Sequence, residues 1–316
     1  MKNKKTVIRI FLIAFIITAI WVANYIIKAT NELASIVEPN PNNPYIEYYK
    51  SFVPLRDWTI SSPDITAKGV LVTLTDLEND KFLFEKDPGK QLHIASITKL
   101  MTALIVLEEY NLNEEIIISE EAFLQDNFGF YPGETYKVKD LLYSALIGSS
   151  NTAAYALAEK RNLYNYDKTA EPFVLKMNQK AKELGMNKTY FSNPTGLDSN
   201  QSNYSTTKDL LILTKNLINY PIIWEILSTK EFTLKTSDGA FKKEITNTNE
   251  LLFGENNNII GGKTGYTVKA GKCLLLVFEK DNYYLITIIL GSSDHFGETK
   301  TLINWINQAY NWQTWI

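Results

Sequence analysis

Ser96 and Lys99 sit three residues apart and form a candidate nucleophile and base. An i, i+3 pair lies on one face of a helix with its side chains in reach of each other. Ile97, Leu100, Met101, Leu104, Ile105 and Leu107 cover most of the surface of the helix predicted from Ser96 to Tyr110. A helix that is apolar nearly all round is buried, so Lys99 is expected to face protein. A desolvated lysine has a depressed pKa and can take the proton of a serine hydroxyl. Backbone N–H groups at the same helix start can help to stabilise an oxyanion. A second Ser-x-x-Lys, Ser205-Thr206-Thr207-Lys208, reads as a helix start instead. There Ser205 or Thr206 would cap, Asp209 would sit on the positive end, and Leu210, Leu211 and Leu213 supply the apolar stripe.

Two further motifs carry chemistry. Ser149-Ser150-Asn151 follows Gly148 between two helical stretches. It reads either as a helix cap or as a relay, with Ser149 passing a proton to a leaving nitrogen and Asn151 binding a substrate amide. Lys263-Thr264-Gly265 follows Gly261-Gly262. The glycines leave a strand's backbone bare, which suits an extended peptide lying alongside as an added strand. Lys263 and Thr264 then offer a charge and a hydroxyl to a terminal carboxylate. The plainer reading is a glycine-rich bulge with a solvated lysine.

The elements that position these residues run in a simple order. Val70 to Thr75 and Lys81 to Glu85 flank Glu78-Asn79-Asp80 as a hairpin. From about Ser119 to Ile226 the pattern is mostly helical, broken at Gly129 to Gly133, Gly148, Pro194-Thr195-Gly196 and Pro221. Strands return at Ile259 to Val268, Lys272 to Glu279 and Tyr283 to Leu290, and an amphipathic helix is predicted from Thr299 to Trp312. Strands at both ends of the chain around a helical middle predict an α+β fold built on one mixed sheet with helices on both sides, in which the first and last strands meet.

The whole chain excludes several classes. Its 316 residues carry a net charge of -3, with no large basic block after the first few residues, so no nucleic-acid partner is expected. Cys273 is the one cysteine, which rules out an internal disulfide. His93 and His295 are the two histidines, and no Cys/His cluster has zinc spacing, so neither metal nor cofactor is expected. His93 is expected to pack or cap near the nucleophile. At the N-terminus, Lys2, Lys4, Lys5 and Arg9 precede an uncharged run from Ile10 to Ile27. At about 1.5 Å per residue that run spans roughly 27 Å, close to the hydrocarbon thickness. The length of the run predicts an uncleaved anchor, and the positive charge before it places the rest of the chain outside the cytoplasm. A cleaved signal peptide, the alternative, has a shorter apolar core of about 7–15 residues. The expected division is an anchor over 1–30, an extracytoplasmic linker over 31–67 containing Glu38-Pro39-Asn40-Pro41-Asn42-Asn43-Pro44, and a catalytic domain over 68–316.

In order and spacing the three motifs resemble those of the low-molecular-weight penicillin-binding proteins, the D-alanyl-D-alanine carboxypeptidase family. Family-like stretches are Ala95 to Thr102, Leu141 to Tyr143 through Ala153-Ala154, Leu184 to Met186 through Phe191 to Asp198, and Gly262 to Thr267 through Ala270 to Leu274. The resemblance covers about residues 68 to 316. It implies the penicillin-recognising serine hydrolase fold, a five-stranded antiparallel sheet flanked by helices, plus a helical lobe. It also implies that Ser96 is acylated with Lys99 as base, that Ser149 and Asn151 line the helical side, and that Lys263, Thr264 and Gly265 hold the substrate carboxylate. The N–H groups of Ser96 and Tyr266 would form the oxyanion hole. Peptidoglycan stem peptides are the implied substrate, β-lactams the implied covalent inhibitors, and the lipid bilayer a partner through the N-terminal helix. Three positions depart from the family pattern: Ser150 replaces a common Gly, Thr152 a common Asp and Thr195 a common His. The chain ends just after its closing helix, so the β-rich domain that many members carry is expected to be absent. The leading expectation is a membrane-anchored carboxypeptidase. The alternatives are a DD-endopeptidase, a β-lactamase, or a catalytically silent wall-binding protein. The β-lactamase reading lacks a Glu-x-x-Leu-Asn segment for deacylation, since Glu183-Leu184-Gly185-Met186-Asn187 does not match it.

Overall fold

A computed structural model describes Val22 and residues 54–126, 128–160, 170–254, 258–280 and 283–312. The expected membrane segment and the Pro/Asn-rich tether lie outside these residues, Val22 apart. Among the described residues no single helix is long and apolar enough to cross a membrane. Two compact units are present, and Trp58–Ala309 is the one that carries all three motifs.

Within that unit β1 (Gly69–Thr75) and β2 (Asp80–Lys86) form the predicted hairpin. Asp76 shapes its turn by accepting from the N–H groups of Glu78 and Asn79, the local bond that suits Asp to turns. The helix predicted from Ser96 begins as a 3-10 turn over Ala95–Thr98 and continues as α1 (Lys99–Glu109). Every residue of α1 from Lys99 to Val106 is buried, as its nearly all-apolar surface requires. A short antiparallel pair, β3 (Glu115–Ile117) with β4 (Thr135–Lys137), brackets the single turn α2 (Glu120–Phe123). Then follow α3 (Val138–Leu146), α4 (Asn151–Glu159), α5 (Glu171–Glu183), α6 (Thr207–Ile218) and α7 (Pro221–Ser228). Pro221 opens α7 because its missing N–H is not needed at a first helical position.

A second hairpin, β5 (Glu231–Lys235) with β6 (Phe241–Thr246), was not anticipated from the sequence. Its strands bury only Leu234 and Ile245, so almost no apolar alternation marks it. The last third supplies β7 (Ile259–Thr267), β8 (Gly271–Lys280) and β9 (Tyr283–Ser292). The closing helix α8 spans His295–Ala309, one turn earlier than predicted. Asp294 explains the shift, because its carboxylate accepts from Gly297 N–H and caps the helix start.

The five long strands form one sheet in the order β7-β8-β9-β1-β2, so the first and last strands meet as predicted. Every pairing is antiparallel, however, and the sheet is not mixed, because hairpins join β1 to β2, β7 to β8 and β8 to β9. In β8, Cys273, Leu275 and Val277 join the main core, whereas Leu274, Leu276 and Phe278 join a smaller cluster that includes Ile303 of α8. A period of two along a strand covered on both faces produces this division. Strand β7 lies at the sheet edge, which leaves one side of its backbone without a strand partner. In the other unit, Leu55–Arg56 pairs antiparallel with Tyr310–Asn311.

Candidate active site

Ser96 lies in the 3-10 turn that precedes α1. At three residues per turn, positions i and i+3 eclipse, and this places Lys99 directly against Ser96. Lys99 Nζ lies 2.9 Å from Ser96 Oγ, 2.7 Å from Asn151 Oδ1 and 2.7 Å from the Thr195 carbonyl. Lys99 is 1% exposed. Its pKa is held well below the ordinary lysine range by burial first and then by the charge of Lys263, with Asp126 partly opposing. A neutral amine has two donors and one lone pair. The carbonyl oxygens of Asn151 and Thr195 can only accept, so both donors are committed to them. The lone pair is left to the Ser96 hydroxyl, the one partner of the three that can give up a proton.

Two glycines keep the turn in place. Ala95 enters it with φ +46°, a conformation uncommon for residues with a side chain. A Cβ on Gly196 would sit 2.0 Å from the Ala95 carbonyl oxygen, and one on Gly265 would sit 2.9 Å from the Ser96 nitrogen. Gly265 therefore lets the edge strand approach the backbone of the nucleophile. Asn193 sets the other side, its Oδ1 accepting from the N–H groups of Thr195 and Gly196 at 3.1 and 2.7 Å. That turn aims the Thr195 carbonyl at Lys99, and Thr102 Oγ1 fixes it to α1 by donating to the Pro194 carbonyl at 2.7 Å.

The second and third motifs meet across the site. Lys263, fully buried in β7, donates to Ser149 Oγ at 2.9 Å and to the Thr264 carbonyl at 3.0 Å. Burial lowers its pKa from 10.5 to about 7. The solvated-lysine reading of this motif is therefore wrong, because the strand's glycines let Lys263 lie inside the protein. Thr264 Oγ1 lies 2.6 Å from Thr248 Oγ1. Ser149 has φ +58°, and Ser150 caps α4 by accepting from Ala153 N–H. The cap reading applies to Ser150, and Ser149, the residue of the relay reading, is the one that meets Lys263. Tyr266 is 67% exposed, so its ring faces outward and only its backbone belongs to the strand beside Ser96.

The eight residues singled out from the sequence thus occupy one locality, and the competing motif stays apart. Ser205 is buried beside Thr189, its hydroxyl 2.6 Å from Thr189 Oγ1. Lys208 is half exposed and pairs with Glu85 at 3.5 Å. Thr206 is the cap, accepting from Asp209 N–H at 3.0 Å. His93 lies on a short strand three residues before Ser96, with Nδ1 3.4 Å from the Asn203 carbonyl. It packs there and caps no helix. The sequence reading missed Asp126, Thr248 and the carbonyl of Thr195. Asp126 accepts from the backbone N–H of Asn151 and from Thr152 Oγ1. No local pattern marks a lone aspartate in a loop, whereas the Asn-Pro-Thr-Gly turn was visible as a break. Among the described residues no group of three or more His, Cys, Asp or Glu could hold a metal ion.

The model of the family described as D-alanyl-D-alanine carboxypeptidase matches residues 57–294. The sequence is 33% identical over 255 residues to a D-alanyl-D-alanine endopeptidase of Escherichia coli, covering 78% of this chain and 79% of that protein. It is 34% identical over 227 residues to the D-alanyl-D-alanine carboxypeptidase DacF of Bacillus subtilis, covering 70% of this chain and 56% of that protein. Among solved structures, penicillin-binding protein D2 from Listeria monocytogenes in its cefotaxime-bound form aligns with a TM-score of 0.66 and 31% identity. That alignment covers 78% of this chain and 98% of the other.

Proposed function

The chain belongs to the D-alanyl-D-alanine carboxypeptidase family, and on that premise we propose that it removes the terminal D-alanine from peptidoglycan stem peptides through an acyl-enzyme on Ser96. Membership makes it a serine hydrolase of the DD-peptidase type. The observation that carries the finer reading is the buried Lys99 amine 2.9 Å from Ser96 Oγ, whose hydroxyl, alone of the three groups bonded to Lys99 among the described residues, carries a proton to give.

In this reading neutral Lys99 takes the Ser96 proton as Oγ attacks the carbonyl carbon of the penultimate residue. The N–H groups of Ser96 and Tyr266 receive the oxyanion. The terminal carboxylate binds Lys263 and Thr264. An arriving anion favours the charged form of Lys263, so substrate binding itself protonates the lysine that begins near neutrality. Ser149, 2.9 Å from Lys263, passes a proton to the leaving nitrogen and takes back the one held by Lys99, so D-alanine departs as the amine and Lys99 is neutral again. Water then hydrolyses the ester with Lys99 again as base. β-Lactams acylate Ser96 by the same attack. The run from Ile10 to Ile27 anchors the enzyme with its catalytic unit outside the cytoplasm.

A second reading, cleavage of crosslinked wall peptides, is favoured by the likeness to the Escherichia coli endopeptidase. Incubation with a model pentapeptide and with purified crosslinked muropeptides separates the two. Faster D-alanine release from the pentapeptide is expected, and faster conversion of crosslinked dimer to monomer would favour the endopeptidase. For the anchor, N-terminal sequencing of membrane-extracted protein is expected to read through residues 1–30. A mature start near residue 30 would mean a cleaved signal.

A further inference from the structure

Asp126 lies in the loop after α2 and takes no direct part in the mechanism above, yet its carboxylate reaches three consecutive residues, Ser150 and Asn151 of the second motif and Thr152 just after it. Oδ2 accepts from the backbone N–H of Asn151 and lies 3.4 Å from Ser150 Oγ, and Oδ1 accepts from Thr152 Oγ1 at 2.6 Å. Oδ1 also receives Phe128 N–H at 3.2 Å, which fixes the carboxylate in its own loop. A negative group at the start of α4 is favourably placed against the helix dipole.

The segment held this way is the one that must not drift. Ser149 occupies the left-handed region at φ +58°, and such a residue stays there only while its surroundings hold it. Next to this clamp Ser149 Oγ receives Lys263, and within it Asn151 Oδ1 receives Lys99. We infer that Asp126 is a positioning residue, which locks Ser149 and Asn151 against the two buried lysines and so aims the Lys99 lone pair at Ser96. The inference rests on the role proposed for Ser96 and Lys99.

A second consequence is electrostatic. Among the described residues the charged groups that act on Lys99 are Lys263 from β7 and Asp126 from this loop; Ser96, Asn151 and the Thr195 carbonyl are uncharged. Lys263 lowers the Lys99 pKa and Asp126 raises it. Removing the Asp126 charge therefore keeps Lys99 unprotonated to lower pH, and the acid limb of acylation moves down.

The test is acylation of the full chain by a fluorescent penicillin, followed against time and pH, for the wild type and Asp126→Asn. Labelling of the wild type establishes the premise independently; no wild-type labelling would sink the proposed function and this inference with it. In Asp126→Asn, the acylation rate constant is expected to fall about 10- to 100-fold through misplacement of the base, at nearly unchanged saturation concentration. The acid limb is expected to shift to lower pH. An unchanged rate and limb per folded molecule, with only a lower melting temperature, would show a purely structural role and overturn the inference. Should Asp126→Asn fail to fold, Thr152→Val frees one bond to the carboxylate while keeping its charge. Slower acylation at an unmoved limb would then support the inference, and an unchanged rate would overturn it.

Discussion

Two buried lysines with distinct partners define this site. Lys99 lies 2.9 Å from the Ser96 hydroxyl, and Lys263 reaches Ser149 from an edge strand. Both were found from sequence because each belongs to a short motif. What the motifs could not convey is that Lys263 is fully buried with a pKa near 7. A lysine poised there gains most from an incoming carboxylate. Truncating one partner of a charge-assisted contact in a cleft costs about 2–4 kcal/mol, or roughly 30- to 1,000-fold. Lys263→Ala is therefore expected to reduce turnover of a free-carboxylate peptide far more than that of the matching amide. Steady-state rates on the two peptides measure this, and equal losses would assign Lys263 to Ser149 alone.

At the scale of elements, the site depends on backbone approaching backbone. The 3-10 turn bearing Ser96 is wedged between the Asn193–Gly196 turn and β7, and glycine is what permits both contacts. Gly196 has φ +85° and a Cβ position 2.0 Å from the Ala95 carbonyl. Gly196→Ala is thus expected to displace the turn, lower the melting temperature and slow penicillin labelling by about 10-fold or more, since an ångström of misplacement can cost that much. Normal labelling with a normal melting temperature would show that the turn tolerates the shift. The same elements show how much of the molecule was readable. The five sheet strands and the buried α1 announce themselves through apolar runs and stripes. The hairpin of β5 and β6 does not, because only Leu234 and Ile245 are buried there. The 3-10 start of α1 is also silent in the sequence, since an apolar stripe cannot distinguish three residues per turn from 3.6 over four residues. The role of Asp126 depends on a contact across 25 residues, and no local pattern encodes such a contact.

Over the whole molecule, acylation and deacylation make different demands. A peptide's leaving D-alanine can diffuse away and open a path for water, whereas the opened ring of penicillin stays tethered and blocks it. Fast penicillin hydrolysis needs a further base positioned for that water. Asp126, whose carboxylate reaches the second motif, is already bonded to Asn151, Thr152 and Phe128. D-alanine release with a slowly decaying penicillin adduct is therefore expected. Rapid multiple-turnover hydrolysis of penicillin without D-alanine release would instead favour a β-lactamase.

The central claim is that Ser96, and not the similarly spaced Ser205, is the nucleophile activated by a buried lysine. Peptide mass spectrometry of the penicillin-treated protein tests it most directly. The expected result is a single adduct on the peptide containing Ser96, absent in Ser96→Ala and retained in Ser205→Ala. An adduct on Ser205, or one that persists in Ser96→Ala, would contradict it.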